Sequence, residues 1–275
     1  MQYKLHVKVT TKEQFETVLK YDKVITRIYV LPSLIPVSGE SICASSETEI
    51  YLCSPFVFRR SDIKRIESIL KTYRFDGFLC SDHEFFGYIN NCPEINPDQK
   101  LVLDNSMYIL NHEALDLYVK NSGLAVTGFY NSFELNNKEI SELNEAICKH
   151  GIDNVISSYV VYGRIPMMIS ANCVNKSTGR CDKTTGFTTI TDRMGKAFPV
   201  YRDCSSCINV IYNSVPLSLH KYFEELYERG DLRIDLTNES AKETELIIDY
   251  FSSFDPQIMP PYKDYTTGHF KRGVE

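Results

Sequence analysis

The chain has 275 residues, a formal net charge of −6 and a sequence isoelectric point of about 5.6. Apolar residues make up 43% and charged residues 24%, which excludes a disordered chain and leaves enough apolar material for a sizeable core. No apolar run approaches the roughly 18 residues of a membrane span, and the first residues lack a secretion signal. The sequence therefore predicts a cytoplasmic protein without a membrane partner. The negative charge argues against a broad nucleic-acid surface but is compatible with a local basic pocket.

Short apolar strands alternate with amphipathic helical stretches along the chain. We predict eight such strands, at residues 4–9, 27–31, 49–53, 77–81, 100–104, 124–129, 155–161 and 232–236, and two shorter ones at 188–190 and 197–201. The first helix should begin after Thr11, because Thr11 and Gln14 form a capping box. Further helices are predicted from residue 61 onward and over residues 84–89, 111–120, 136–150, 217–229 and 239–251. Asn136 and Asn238 should cap two of them, and Gly151 should end the helix at 136–150.

Eight strands alternating with helices predict a parallel sheet, because parallel neighbours need a crossover connection. Eight units in a chain of this length favour a closed, TIM-like (β/α) barrel of eight parallel strands, with an open doubly wound sheet as the alternative. Neither G-x-G-x-x-G nor G-x-x-x-x-G-K-[ST] occurs, so a glycine-rich nucleotide loop has no support. We predict one barrel domain over residues 1–275, with a cysteine-rich insertion at 170–215 after the seventh strand. Such a long connection would leave the face on which barrel active sites lie.

The nine cysteines fall into two groups. Four lie in the insertion: Cys173, Cys181, Cys204 and Cys207. The last two form a C-x-x-C motif, and four soft ligands so close in sequence favour a 4Fe–4S cluster, or alternatively zinc. Free thiols, or a redox disulfide between Cys204 and Cys207, would account for the same spacing. The remaining five are interpreted as small buried hydrophobic residues: Cys43, Cys53, Cys80, Cys92 and Cys148.

Polar residues near the strand ends are candidates for binding or catalysis. Arg164 follows the seventh strand and could bind a carboxylate or phosphate bidentately. Arg233 and Asp235 share one face of the eighth strand, as part of a binding site or as a structural ion pair. Arg193 lies in a polar turn, where a solvated role is equally compatible with the sequence. We predict that Arg164, Arg193 and Asp235 are catalytic. Three further residues should lie at the same mouth of the barrel: Asp104, Asn105 and Glu134.

Several motifs in the second half of the chain belong together in order and spacing. They are GRIPMMIS at 163–170, the cysteine at 173, TDRMGKAFP at 191–199, YNS at 212–214, LRID at 232–235 and TGHFKRGVE at 267–275. In this arrangement the chain resembles the collagenase-like peptidase family of unassigned mechanism, the unknown-type peptidase family 32. It is most similar to the C-terminal half of the longer members of that family.

The resemblance implies a barrel that holds a 4Fe–4S cluster through four cysteines. It also implies an enzyme of an oxygen-independent hydroxylation system, acting on RNA or on a small aromatic precursor. Three explanations of the missing N-terminal half stay open: a shortened chain, a partner subunit that supplies that half, or a degenerate paralogue. Two positions depart from the family pattern. Pro166 occupies the place of a family cysteine and Ser158 that of a glutamate, whereas Cys173 matches. The other three cysteines cannot all be carried over one for one.

Two further functions stay open. The family's peptidase label implies a collagenase-like protease, although the sequence contains neither a Ser–His–Asp grouping nor an H-E-x-x-H motif. The other is a non-catalytic binding module in which zinc only stabilises the insertion. If the chain is an enzyme, three arginines are available for an anionic substrate such as RNA or a small anion: Arg164, Arg193 and Arg233.

Overall fold

The computed structural model describes residues 4–36, 47–253 and 255–274. Eight parallel strands form its centre: β1 (Leu5–Val9), β2 (Ile25–Val30), β3 (Glu49–Cys53), β4 (Gly77–Cys80), β5 (Lys100–Leu103), β6 (Ala125–Tyr130), β7 (Ile156–Gly163) and β13 (Leu232–Asp235). Each pairs in parallel with the next, β13 pairs with β1, and β6 pairs with β7. The sheet therefore closes into a barrel. This confirms the predicted TIM-like fold and excludes the open sheet.

Eight α-helices lie in the described part of the chain: α1 (Lys12–Val18), α2 (Arg60–Thr72), α3 (His83–Ile89), α4 (His112–Asn121), α5 (Asn137–Lys149), α6 (Val174–Ser177), α7 (Phe223–Tyr227) and α8 (Ala241–Ser252). The capping box of Thr11 and Gln14 is confirmed at α1. Asn136 caps α5 as predicted, and Gly151 follows that helix with a φ of 66°, which glycine adopts without strain. No helix of these residues is long and apolar enough to cross a membrane.

Two predicted helices differ from the structure. The helix expected at 217–229 is much shorter, because Leu217–Ser218 forms the strand β12, which pairs antiparallel with the end of β7. A 3-10 turn at His220–Tyr222 then leads into α7. The helix expected at 239–251 begins two residues later than predicted. Ser240, not Asn238, caps α8, because its hydroxyl accepts from the backbone N–H of Glu243.

The insertion after β7 is a folded antiparallel sheet. Its strands are β8 (Pro166–Ser170), β9 (Gly186–Thr191), β10 (Ala197–Asp203) and β11 (Ile208–Tyr212), in the order β8-β11-β10-β9. The two short strands predicted at 188–190 and 197–201 lie within β9 and β10. The sheet reaches across to the barrel loops that follow β2 and β3. The Tyr201 hydroxyl lies 2.9 Å from Ser33 Oγ, and Ser206 Oγ donates to Asp62 at the start of α2 over 3.0 Å.

Aromatic side chains from opposite sides of the ring fill much of the barrel interior. Tyr29 of β2 and Tyr130 of β6 meet across the barrel with ring centroids 5.9 Å apart, and their hydroxyls lie 3.0 Å from each other. Tyr51 packs edge to face on Tyr29 at 5.7 Å. Gly77 of β4 makes room for Tyr51, because a Cβ atom there would lie 2.6 Å from the ring. Small and large residues thus interdigitate between neighbouring strands.

Candidate functional site

A cavity of about 390 Å³ opens at the C-terminal ends of the barrel strands. Its walls include Lys8 of β1, Ser81 after β4, Ser132 after β6 and Asp235 at the end of β13. One side is formed by β8 of the insertion and by Tyr212 of β11. We call this space the mouth cavity. Its position is the one at which TIM barrels carry their active sites.

The mouth cavity brings together most of the predicted site residues. Asp104, Asn105, Glu134, Arg164 and Asp235 all line it, although they follow four different strands. The carboxyl ends of parallel strands meet at one face of a barrel, which explains this convergence. Their chemical roles stay predictions.

Arg193 is placed elsewhere. It lies in the exposed turn between β9 and β10, where Asp192 accepts from the backbone N–H groups of Met194 and Lys196, both over 2.8 Å. It does not line the mouth cavity. The solvated turn therefore describes the position of Arg193 better than the predicted place at the mouth.

An ionic network forms the floor of the mouth cavity. Lys8 Nζ donates to Asp104 Oδ2 over 3.0 Å, and Ser81 Oγ donates to the same oxygen over 3.0 Å. The other oxygen of Asp104 accepts from Arg233 over 2.8 Å. Asp104 is buried, with 2% exposure, whereas the Lys8 side chain keeps 16%. Asp104 is thus held between two cations, and Lys8 is the one that faces the cavity.

Arg233 connects the two acids of the mouth. Its Nε and Nη2 atoms both donate to the carboxylate of Asp235, and Nη2 also donates to Asp104. The guanidinium lies 3.8 Å from the ring centroid of Tyr130 and is fully buried. A planar fork suits this bidentate pairing and the aromatic contact better than an ammonium would. The structure therefore shows the ion-pair alternative for Arg233 and Asp235, with Asp235 also at the cavity wall.

The ionic network determines the protonation states of Asp104 and Lys8 at the mouth. Burial alone would raise the pKa of Asp104, but the charges of Arg233 and Lys8 hold that pKa well below its usual value. Burial alone would lower the pKa of Lys8, but Asp104 and Asp235 raise it above its ordinary value. Lys8 is therefore a permanent cation at neutral pH, and Asp104 a permanent anion.

Arg164 lies where the insertion leaves the barrel. Its Nη1 donates to the backbone carbonyls of Asn213 and Ser214, in the segment that returns from β11. Its Nε atom is buried without a hydrogen-bond partner in the part of the chain that the structure describes. Arg164 thus closes the base of the insertion, and it also lines the mouth cavity. The contacts of Nη1 give this residue a structural role, whereas its Nε takes no part in them.

Within the insertion, Cys204 lies in electrostatic range of Cys173 and Cys181. Burial raises the pKa of the Cys204 thiol, the charge of Arg202 opposes that shift, and the charges of Cys173 and Cys181 reinforce it. Cys173 precedes the short helix α6 and is buried. Hydrogen bonds from the backbone N–H groups of Lys176 and Asn175 lower the pKa of the Cys173 thiol.

Cys207 is exposed and adopts a left-handed conformation with a φ of 55°. Cys204 Sγ donates instead to the carbonyl of Thr184 over 3.2 Å. Across residues 4–36, 47–253 and 255–274, no three Cys, His, Asp or Glu side chains are grouped to hold a metal ion. As placed, the thiols do not form the expected four-ligand site. The 4Fe–4S cluster or zinc ion therefore stays a prediction.

The scattered cysteines follow the expectation of small buried residues with one exception. Cys53, Cys80 and Cys92 are buried free thiols, whereas Cys148 is exposed on α5. That exposed position shows that its neighbour Ile147, not Cys148, carries the apolar face of the helix. Cys43 lies outside the described residues.

Lys8 and Ser81 are among the mouth residues that the sequence analysis did not single out. A signal for Lys8 exists in the strand Leu5–Val9, which reads LHVKV. Parallel barrel strands are usually apolar on both faces, so polar residues at alternate positions indicate a polar barrel interior. His6 fits the same pattern, since it is buried and its Nδ1 lies 2.7 Å from the hydroxyl of Tyr130.

Comparison with known proteins does not assign the chain to a family. No protein-family model matches the chain, and no curated protein matches it significantly. The resemblance of the C-terminal motifs to the collagenase-like peptidases therefore stays a prediction, and the site rests on the geometry above.

Proposed function

We propose that this protein is an enzyme whose active site is the mouth cavity and whose substrate is a small anion, a carboxylate or a phosphate. The observation that carries this proposal is Lys8. Its ammonium lines the cavity, and it donates a hydrogen bond to Asp104 at the floor, which keeps Lys8 in place and positively charged. A cation that is already oriented before the substrate arrives loses little freedom on binding.

Lys8 is proposed to act by electrostatics. Since its pKa is raised, it is not a proton acceptor at neutral pH. An ammonium has three N–H donors, and Asp104 is the side chain that accepts from it among the described residues. The other donors are available to an anionic substrate and to negative charge that develops during the reaction.

We propose that Glu134 is the group that exchanges a proton with the bound substrate. Asp104 and Asp235 are both bound by Arg233, so their carboxylates are already engaged in ion pairs. Glu134 lines the same cavity, and its carboxylate has no ion-pair or hydrogen-bond partner in the described chain. It is exposed, so it can reach both solvent and a bound substrate.

The test is a binding titration with inorganic phosphate and with acetate, followed by NMR. Lys8→Met should weaken both by about 10-fold to 100-fold, because a charge-assisted hydrogen bond contributes about 1.5–3 kcal/mol. Lys12→Met is the matched control, since Lys12 lies on the exposed surface of α1 and pairs only loosely with Glu16 at 3.7 Å. Equal binding by the wild type and Lys8→Met would refute the proposal.

A metal-dependent function of the insertion is the second candidate. The observation in its favour is that Cys204 lies in electrostatic range of both Cys173 and Cys181. We propose that these thiols bind a soft metal after the turn at 204–207 rearranges. Anaerobic reconstitution with iron and sulfide should then give a brown protein, or incubation with zinc a colourless one with bound metal. Protein that retains neither after desalting would contradict this candidate. Hydroxylation or cleavage of a substrate, RNA as partner and a partner subunit all rest on the resemblance alone.

A further inference from the structure

A second large cavity lies on the outside of the barrel, away from the mouth. Its volume is about 700 Å³, and it is formed by the segment around α7, the end of α8 and the chain after residue 255. Six rings line it: His220, Tyr222, Phe223, Tyr250, Tyr262 and Tyr265. We call it the tyrosine groove. Its volume is in the range of sites that hold a small organic ligand.

The rings of the tyrosine groove stand nearly at right angles to one another. His220 and Tyr265 have centroids 4.8 Å apart and planes at 76°, and Tyr262 and Tyr265 lie 6.4 Å apart at 74°. Tyr250 also meets His220 edge-on, at 6.4 Å. An edge-to-face contact covers one face of only one of the two rings, so rings that also line the cavity can present their other faces to it. Such faces are the surfaces on which another planar ring stacks.

A buried polar group lies among these rings. His220 is only 9% exposed, and its Nδ1 lies 2.8 Å from Ser218 Oγ, which itself lies 2.6 Å from the Tyr262 hydroxyl. Burial lowers the pKa of His220, so the imidazole is neutral at pH 7. Its Nε2 has no partner in the described chain, although the residue lines the groove. One unpaired polar atom in an aromatic wall can orient a ligand.

The rim of the groove is positively charged. Lys221 and Lys263 both line it, and Lys221 Nζ lies 5.7 Å from the centroid of Tyr265. Of the two acids at the rim, Glu225 is bound to Arg229 at 3.1 Å, which leaves Glu224 against two lysines. An anionic group is therefore complementary to this rim.

We propose that the tyrosine groove is a second ligand-binding site, for a planar aromatic ring that carries an anionic group. The ring stacks between the tyrosines, His220 orients it, and the anionic group lies at Lys221 and Lys263. A nucleotide and an aromatic carboxylic acid share this chemistry. The site is independent of the function proposed for the mouth cavity.

The test uses the full chain and the fluorescent probe anilinonaphthalene sulfonate, which has aromatic rings and one negative charge. Tyr265→Ala should weaken probe binding about tenfold, and Tyr265→Phe should leave it unchanged, because the ring and not the hydroxyl provides the stacking. Leu117→Ala is the control, since Leu117 is 60% exposed on α4 and lines neither the tyrosine groove nor the mouth cavity. Probe binding by Tyr265→Ala that is as strong as binding by Leu117→Ala would overturn the proposal.

Two further arms keep the test decisive. Lys221→Met changes only an exposed side chain and should weaken the sulfonate probe several-fold, so an unchanged affinity would count against the anionic rim. If AMP displaces the probe and benzoate does not, the ligand class is a nucleotide. If benzoate displaces it, the ligand class is an aromatic acid. Either result supports the site. Ribose phosphate lacks the ring, so displacement by ribose phosphate as strong as by AMP would overturn the stacking.

Discussion

At the scale of single residues, Arg233 holds the floor of the mouth together. It binds Asp104 and Asp235 at once, and its guanidinium lies on the ring of Tyr130. Removing one partner of a buried ionic group leaves uncompensated charge, which typically costs about 3–5 kcal/mol. We expect Arg233→Met to lower the free energy of unfolding by that amount in urea denaturation.

The control for this prediction is Arg180→Met. Arg180 is exposed in the insertion, and no side-chain ion pair holds it in the described chain. Its substitution should change the free energy of unfolding by less than about 0.5 kcal/mol. If Arg233→Met were as stable as Arg180→Met, the ionic floor would contribute no stability.

Asp104 makes the stability depend on pH. The pKa of Asp104 is depressed in the folded state, so its contribution is fully present above the ordinary pKa of about 3.9 and is lost as the pH falls towards the folded value. We therefore expect the free energy of unfolding to decline on acidification below about pH 4. Asp104→Asn should be less stable at neutral pH and show a flatter acid limb in urea titrations at several pH values. An unchanged acid limb in Asp104→Asn would assign the loss to other carboxylates.

Several of these residues were predicted from the sequence and one was not. Charged and apolar residues alternate along the last strand, which predicts that Arg233 and Asp235 share one face. Asp104 was predicted at the mouth because it comes at the end of the fifth strand. Lys8 was missed because it lies inside a strand, where the sequence shows only a polar residue among apolar ones. The distance between Lys8 and Asp104 depends on the closure of the barrel, which brings residues 96 positions apart into contact.

At the scale of elements, α8 offers a matched pair of capping substitutions. Ser240 accepts from the backbone of Glu243, and the Glu243 carboxylate returns to the backbone N–H of Ser240 over 2.9 Å. Ser240→Ala should therefore cost about 1 kcal/mol of unfolding free energy, measured by thermal or urea denaturation. Asn238→Ala should cost little, because Asn238 is exposed and does not cap the helix. The reverse order would contradict the assigned helix start.

The prediction of α8 went wrong for a local reason. Asn238 and Ser240 are both good capping residues, and only Ser240 has an acid three positions later. Asn136 also has its acid, Glu139, three positions later, and it caps α5 as predicted. The helix expected at 217–229 failed because Leu217–Ser218 extends the sheet beside β7, and tertiary pairing overrides local helical preference.

At the scale of the whole molecule, Arg164 ties the insertion to the barrel. Its Nη1 atom donates to two carbonyls of the returning segment, at Asn213 and Ser214, and the shorter lysine side chain does not place its ammonium at the same point. Arg164→Lys should loosen the insertion while the barrel stays folded. Limited trypsin digestion should then cut faster near Lys176 and Lys183, with an unchanged far-ultraviolet circular dichroism spectrum. Arg193→Lys, in the exposed turn of the same insertion, should leave the rate of cutting unchanged.

The closed barrel itself could be predicted, because eight strand and helix units leave few other arrangements. The insertion was expected as a long connection with two short strands, yet it forms a four-stranded sheet that contacts the far side of the mouth through Tyr201 and Ser206. Those contacts join residues more than a hundred positions apart, so no local pattern encodes them. The geometry of the four cysteines depends on the same sheet and was equally beyond the sequence.

The most direct test of an anion site at the mouth is a crystal structure of the protein soaked in selenate, with the anomalous signal of selenium measured. We expect one strong peak in the mouth cavity, within hydrogen-bond distance of Lys8 Nζ, and no such peak in crystals of Lys8→Met. A peak at the same place in both crystals, or a mouth cavity without selenate while selenate binds elsewhere, would contradict the account.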